Sequence, residues 1–501
     1  MSIKRLASHT MWYGLSSIVA RFLSYLLTPY LTDPDHLSVL EYGKMSMIFS
    51  AIPFMSALFT YGFEITFFRY SNKDEDEKVV FNTTSLSIIF TTLIFTSVLL
   101  MFSEPIAVFL QVPDNPEFIT WTSLIIAIDT LAVIPFAKLR QINRPKKYAL
   151  IRIAAILMTI AATVFFYTYL PRIAAQQPGS YLASWYDPQM GVGYYIIATL
   201  IASILTLVLL APEVLSIRFQ GSFRLWKEML FYSLPLMIAG FAGVINETFD
   251  RILLGKLTPK DAAVSGVVLA GIYGACYKLS LLINIFIQAF RMGAEPFFFS
   301  ESKNKNAPET YARVMKYIVI VMTTMFLFVT LYIDYWKHFI QNEEMWVGLN
   351  VVPILLIANM SLGVYYTLSF WYKLSQKTYA ALVITFIGAA ITLSVNFLFI
   401  PKYGYMASAW ATLACYGGMM VISYFWGRKV YPVPYEVGKL GRFFFVMLAL
   451  YFINHFAGMY IDNIWLRTAL ATVLMFAYLA YIFRTEKEDM KNLPFIGKLI
   501  R

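Results

Sequence analysis

Charge is what this sequence has least of. Lys, Arg, Asp and Glu make up 14% of its 501 residues, against about 25% in a soluble globular chain. With 59% of residues hydrophobic and a mean hydropathy of +0.63, a water-soluble surface would carry large exposed apolar patches. Lipid is the solvent that accepts such a surface. Cysteine is also scarce. Cys276 and Cys415 both sit inside apolar runs, which excludes a disulfide framework. The four histidines, His9, His36, His338 and His455, lack metal-ligand spacing. Gly255-Lys256 has no upstream glycine and so cannot be a phosphate-binding loop. Asp74-Glu-Asp-Glu77, flanked by Lys73 and Lys78, reads as a solvated turn rather than a metal motif. No cofactor, no metal and no direct drive by ATP is therefore expected.

What is present is a series of long apolar runs. Crossing hydrocarbon takes about 20 helical residues. Runs of that length fall at about 11–31, 44–63, 83–102, 118–137, 148–170, 191–211, 231–254, 267–290, 312–333, 347–371, 378–399, 405–426, 443–458 and 464–483. Asn454 and His455 interrupt the thirteenth. The fold class predicted is an all-α polytopic membrane protein of about 14 transmembrane helices. Lys4 and Arg5 precede the first run, which is too long for a signal-peptide core.

The formal net charge of +11 does not indicate nucleic acid, because the basic residues lie in short loops between the runs. Loops on the side of the N-terminus carry clusters such as Lys138, Arg140, Arg144, Lys146 and Lys147, and Arg428, Lys429, Lys439 and Arg442. The opposite side has only Arg172, Lys256, Lys260, Lys337 and Lys402. The asymmetry predicts both termini in the cytoplasm.

The sequence also repeats itself. Arg21-Phe-Leu23 and Leu27-Thr28-Pro29 recur as Arg251-Ile-Leu253 and Leu257-Thr258-Pro259. Tyr42-Gly43 recurs as Tyr273-Gly274, Glu64 as Glu295, and Lys146 with Tyr148-Ala149 as Lys377 with Tyr379-Ala380. All these pairs are offset by 230 or 231 residues. An even number of spans per copy predicts two parallel six-helix repeats related by an axis along the membrane normal. The expected division is 1–220, 221–430, and 431–501 for two extra helices and a cytoplasmic tail.

Two such halves plus two C-terminal helices resemble the MOP superfamily of exporters and flippases. Local patterns are similar to its polysaccharide branch, the Wzx-type flippases. These are Gly14-Leu-Ser-Ser-Ile-Val-Ala-Arg21-Phe-Leu, then Glu41-Tyr-Gly43 followed by Tyr61-Gly62 and Arg69. In the second half they are Leu234-Pro235, Asp250-Arg251-Ile-Leu-Leu-Gly255, Gly271-Ile-Tyr-Gly274 and Lys278-Leu. The resemblance implies a V-shaped pair of bundles. It also implies export of undecaprenyl-diphosphate-linked sugar units across the bacterial inner membrane, for lipopolysaccharide, capsule or exopolysaccharide. The implied partners are that lipid-linked oligosaccharide, membrane lipid, and the polymerase and glycosyltransferases of the same pathway.

Charges inside spans are the candidate site, because each costs about 2.5–3.5 kcal/mol to place in hydrocarbon without a partner, a wet cavity or a ligand. Arg21 falls mid-span, with Ser17, Tyr25 and Thr28 on its face. Lys278 falls mid-span in the eighth run. Two cations at that depth suit a lipid diphosphate, which Arg can grip with two hydrogen bonds; the bland alternative is that each pairs with an acid and only joins helices. Arg152, like Arg251 a candidate for the substrate-binding cavity, lies close enough to the cytoplasmic edge to snorkel instead. Arg251 has Glu247 one turn before it, which favours local neutralisation and leaves Asp250 over. Asp129 is the acid best placed to pair with Arg21 or Lys278, or to couple transport to a proton. Glu64 and Glu295, matched by the repeat, are expected at cytoplasmic span ends as gate or loop contacts.

Two rival functions are weighed. A membrane polymerase or glycosyltransferase generally needs a large outward loop, and the longest here, about 171–190, has only Arg172 and Asp187 as charges. A cation-coupled drug exporter of the same superfamily typically carries an acid in its first span, where this chain has Arg21 and none.

Overall fold

A computed structural model describes residues 18, 19, 21–71, 76–302 and 304–491. Every regular element in them is helical. The long helices are α1 (Val39–Thr60), α3 (Glu77–Met101), α4 (Pro116–Gln141), α5 (Pro145–Val164) and α6 (Gly193–Leu209), with the short α2 (Phe63–Ser71) after α1. They continue as α7 (Phe223–Leu257), α8 (Gly266–Glu301), α9 (Ala307–Leu331) and α10 (Val351–Leu368). The chain then forms α11 (Tyr379–Tyr403), α12 (Tyr405–Val430), α13 (Val437–Ala457) and α14 (Ile464–Lys491). Among the described residues twelve stretches are long and apolar enough to cross a membrane, and α6 is an apolar helix of 17 residues. The first expected span is described from Ile18 onward and is helical over 21–26 and Thr28–Leu31. Each of the other thirteen expected spans has a helix at its place, including the thirteenth, where Asn454 and His455 lie in the last turn of α13, whereas positions 11–17 and 20 of the first lie outside the described residues. Ser17 and the loop residues Lys4, Arg5, Lys73, Asp74, Glu75, Lys303, Lys498 and Arg501 lie outside the described residues.

Helix lengths depart from the sequence expectation at α7 and α8, with 35 and 36 residues. At 1.5 Å per residue each is over about 50 Å long, more than the ~30 Å of hydrocarbon, so their ends continue into the polar zone. The second span divides. Tyr61 (φ 34°) and Gly62 (φ 77°) take the left-handed conformation that ends α1 and restarts the chain as α2. That conformation is why a Tyr-Gly pair stands there. A Cβ on Gly62 would also lie 3.0 Å from Leu236 Cβ.

The described chain divides into two compact units. The first comprises the described residues to Ala275 with Ile340–Gly348 and Thr385–Ala411; the second comprises Cys276–Phe339, Leu349–Ile384 and the described residues from Thr412. In the first unit α1 packs along α7 and crosses the opening turns of α8. The crossing is backbone against backbone. A Cβ on Gly271 would sit 2.7 Å from the Val39 carbonyl oxygen and 2.9 Å from the Gly43 nitrogen, and one on Gly43 would collide with the Val267 carbonyl. Glycine removes that collision, so the Tyr-Gly motifs of the two repeats meet at this crossing. Glu41 fixes the same corner, with one carboxylate oxygen 2.6 Å from Lys44 Nζ and the other accepting from Val192 N at 2.9 Å.

In the second unit α9 is the central helix, contacted by α10, α13 and α14. α14 runs antiparallel to it and is fastened at three levels. Tyr332 OH meets Thr472 Oγ1 at 3.0 Å, Tyr478 OH donates to Thr323 Oγ1 at 2.6 Å, and Glu486 Oε2 lies 2.7 Å from Lys316 Nζ. Lys439 of α13 takes the other Glu486 oxygen at 2.5 Å. Glu486 is only 1% exposed, and holding two cations is what permits a carboxylate at that burial.

Candidate functional site

The first span presents Arg21 on an exposed face, while Tyr25 and Thr28 are buried behind it. The Phe22 and Tyr25 rings stack at 6.5 Å. Among the described residues Arg21 makes no ion pair, so its charge is not consumed in holding helices together. Asp129, at the middle of α4, and Glu247 of α7 are also exposed. Charge facing hydrocarbon is costly, which makes these exposed charges inside expected spans candidates for a water-lined surface.

Asp129 faces Ser203 of α6 and feels the charge of Arg152 on α5, but forms no ion pair among the described residues. Arg152 itself lies flat over the Phe136 ring at 4.3 Å and is exposed. An ion pair of Asp129 with Arg21 or Lys278 is thus not among the contacts of the described residues, and Arg152 is the cation whose charge reaches it. The reason is tertiary: α4, α5 and α6 pack together, which brings their facing polar groups within reach.

Arg251 has a different environment from Arg21. It is 9% exposed and donates to Asp250 Oδ1 at 3.2 Å and to the Glu247 carbonyl oxygen at 3.1 Å. Asp250 Oδ2 accepts from Tyr273 OH at 2.7 Å. The spacing favours Glu247 as partner, and the structure gives that role to Asp250. Helical spacing brings Glu247 to the correct turn, but its carboxylate points to an accessible surface while Asp250 is directed inward with Tyr273.

Glu64 on α2 is bonded to Arg140 at the end of α4, and Arg140 also lies over the Phe68 ring at 4.8 Å. Lys278 lies in the second unit and is half-buried. Glu295 falls within α8.

Two features were not legible as sites in the sequence. One is a chain of buried neutral polar groups across α7, α11 and α12. Asn246 Nδ2 donates to the Thr385 carbonyl at 3.3 Å, Thr392 Oγ1 to Asn246 Oδ1 at 3.3 Å, and Ser408 Oγ to Asn396 Oδ1 at 2.9 Å. Only the position of Asn246 one turn before Asp250 hinted at it. The other is a cavity of about 450 Å³ in the second unit. It is walled by Met315, Met322, Met360, Val364, Leu440 and Phe444, with almost no polar surface. Such a cavity suits hydrocarbon. Its walls are drawn from four helices far apart in sequence, which no local pattern reveals.

Residues 6–300 match the family model described as polysaccharide biosynthesis protein. No curated protein sequence matches the chain. Among solved structures it is similar to a lipid II flippase, MurJ, in an inward closed conformation. The TM-score is 0.72 at 14% identity, covering 94% of this chain and 99% of that one. It is also similar to an inward-facing multidrug resistance MATE family transporter of the MOP superfamily, with a TM-score of 0.60 at 13% identity, covering 88% and 96%. The fold is that of these polytopic membrane transporters, as the two-repeat pattern and the motifs around Arg21 and Arg251 imply.

Proposed function

The chain belongs to the polysaccharide biosynthesis protein family, and from that premise we propose that it translocates an undecaprenyl-diphosphate-linked oligosaccharide across the cytoplasmic membrane by alternating access. The observation that carries the reading is Arg21, an exposed cation within a membrane span with no ion-pair partner among the described residues. A sugar cannot cross hydrocarbon unaided, because its hydroxyls would lose their hydrogen bonds, and a diphosphate adds charge that hydrocarbon does not solvate. A guanidinium on a wet face offers paired donors to such a headgroup without first breaking a salt bridge. The apolar cavity walled by α9, α10, α12 and α13 supports the same reading, since it would shelter part of the polyprenyl chain while the sugar stays in water. Residues 1–220 and 221–430 would act as two bundles that rock about the headgroup, with both termini cytoplasmic. The reaction moves a molecule and breaks no bond, so no catalytic residue is assigned.

The test is a deletion strain carrying the gene on a plasmid. Loss of the protein should trap lipid-linked oligosaccharide in the cytoplasmic leaflet, as read by leaflet-selective labelling, and wild-type protein should release it. An unchanged leaflet distribution would remove the flippase reading. A shift instead in sensitivity to cationic drugs would favour drug export, the activity named for the MATE neighbour.

A further inference from the structure

At the end of the second unit remote from Glu486, a second cavity of about 460 Å³ lies among α9, α10, α13 and α14. Its wall has two characters. Asp334, Asn350, Asn454, His455 and Arg467 form a polar side, and Leu331, Leu349, Pro353, Met459 and Leu470 an apolar side. Exposed aromatics surround that end of the unit: Tyr335, Tyr460 and Trp465 are 47%, 87% and 76% exposed. Tyr and Trp concentrate at the level where hydrocarbon meets headgroups, so the cavity stands at a membrane–water interface. An amphipathic wall at that depth fits an amphipathic molecule.

The charges define its head. Arg467 spends its Nε on the Ile461 carbonyl and one terminal nitrogen on the Gly458 carbonyl at 2.6 Å, so it is fixed at the end of α13. Asp334 is neutralised only from a distance. Arg467 NH1 stands 3.6 Å from its Oδ2 and Lys337 Nζ 3.7 Å from its Oδ1, both too long for good hydrogen bonds. The carboxylate therefore has its charge balanced and its acceptor capacity unfilled. Asn350 and Asn454 both line the cavity, and among the described residues their side chains make no hydrogen bond. Among the described residues no N–H group donates to the Asp334 carboxylate within hydrogen-bonding distance, and two cations flank it.

We propose that this cavity binds a phospholipid with a primary ammonium headgroup, its ammonium on Asp334, its phosphate toward Lys337 and Arg467, and its glycerol backbone against Leu331 and Pro353. Phosphatidylethanolamine is the lipid of that chemistry. Its three N–H donors match the unfilled carboxylate, whereas a trimethylammonium has none. This lipid would be a resident of the protein and not its cargo, so the assignment is independent of which molecule is transported.

The test uses the full chain reconstituted in vesicles of equal phosphatidylethanolamine, phosphatidylcholine and phosphatidylglycerol, extracted gently, with retained lipid counted by mass spectrometry. Wild-type protein should retain phosphatidylethanolamine about fivefold over phosphatidylcholine, the effect of roughly one ordinary net hydrogen bond. Asp334→Asn should erase that preference, and Asn454→Ala, which touches no ion pair, should reduce it. The wild-type comparison needs no variant. Equal retention of the two zwitterionic lipids would overturn the proposal. So would a preference for phosphatidylglycerol, or a phosphatidylethanolamine preference unchanged in both variants.

Discussion

Arg21 and Arg251 occupy matching places in the two sequence repeats, 230 residues apart, yet their surroundings are opposite. Arg251 is 9% exposed and engaged by Asp250, which Tyr273 also holds. Arg21 is exposed with no ion pair among the described residues. The sequence contains the reason at one position. The residue before Arg251 is Asp250, and the residue before Arg21 is Ala20. One copy of the repeat carries its own counter-ion and the other does not. Both copies keep the cation, and only the second has an acid beside it in the sequence. A buried pair satisfies itself, while an unpaired cation on a wet face retains its affinity for an anion.

Three experiments test that contrast. Asp250→Ala should have the largest effect, because it leaves Arg251 buried and uncompensated, a loss of about 3–5 kcal/mol. The expected readout is a marked fall in membrane abundance and thermal stability, partly restored by adding Arg251→Leu. Wild-type abundance in Asp250→Ala would show that the pair does not support the fold. Arg21→Ala should leave abundance unchanged and lower export more than about tenfold, the loss of a charge-assisted contact of roughly 1.5–3 kcal/mol. Arg21→Lys should be partly active. Ala20→Asp, which gives the first repeat the acid of the second, should reduce export with Arg21 still in place. Normal export in both Arg21→Ala and Ala20→Asp would end the headgroup role of Arg21. Lys278→Ala should give the smallest effect, a reduction in export below that of Arg21→Ala at unchanged abundance. An equal or greater loss would reverse the ranking of the two cations.

Most of the architecture was legible because its physics is local. Hydrocarbon must be crossed by helices whose backbone groups bond within the segment, so length and apolarity of each run announce its helix. Motif residues were legible as special but not for their reason. Tyr61-Gly62 proves to be a left-handed helix end, and Gly43 with Gly271 a backbone crossing. The cations were legible individually because charge inside a span is rare. Their partners were not. Spacing pointed Arg251 at Glu247 and left Asp129 for Arg21 or Lys278, whereas packing gave Arg251 Asp250 and brought Asp129 under the charge of Arg152.

The sequence by itself determined the class of solvent, the number and place of the helices, the duplication and the presence of charges that hydrocarbon would reject. The tertiary structure decided which acid faces which cation, directing Asp250 inward with Tyr273 and leaving Glu247 on an accessible surface. It also decided where the apolar cavity of α9, α10, α12 and α13 and the amphipathic cavity around Asp334 form. The division follows from range. A helix is specified by interactions within a few residues, whereas an ion pair or a cavity wall joins side chains that only helix packing brings together, and a helical residue reaches different neighbours when its helix is rotated by a fraction of a turn.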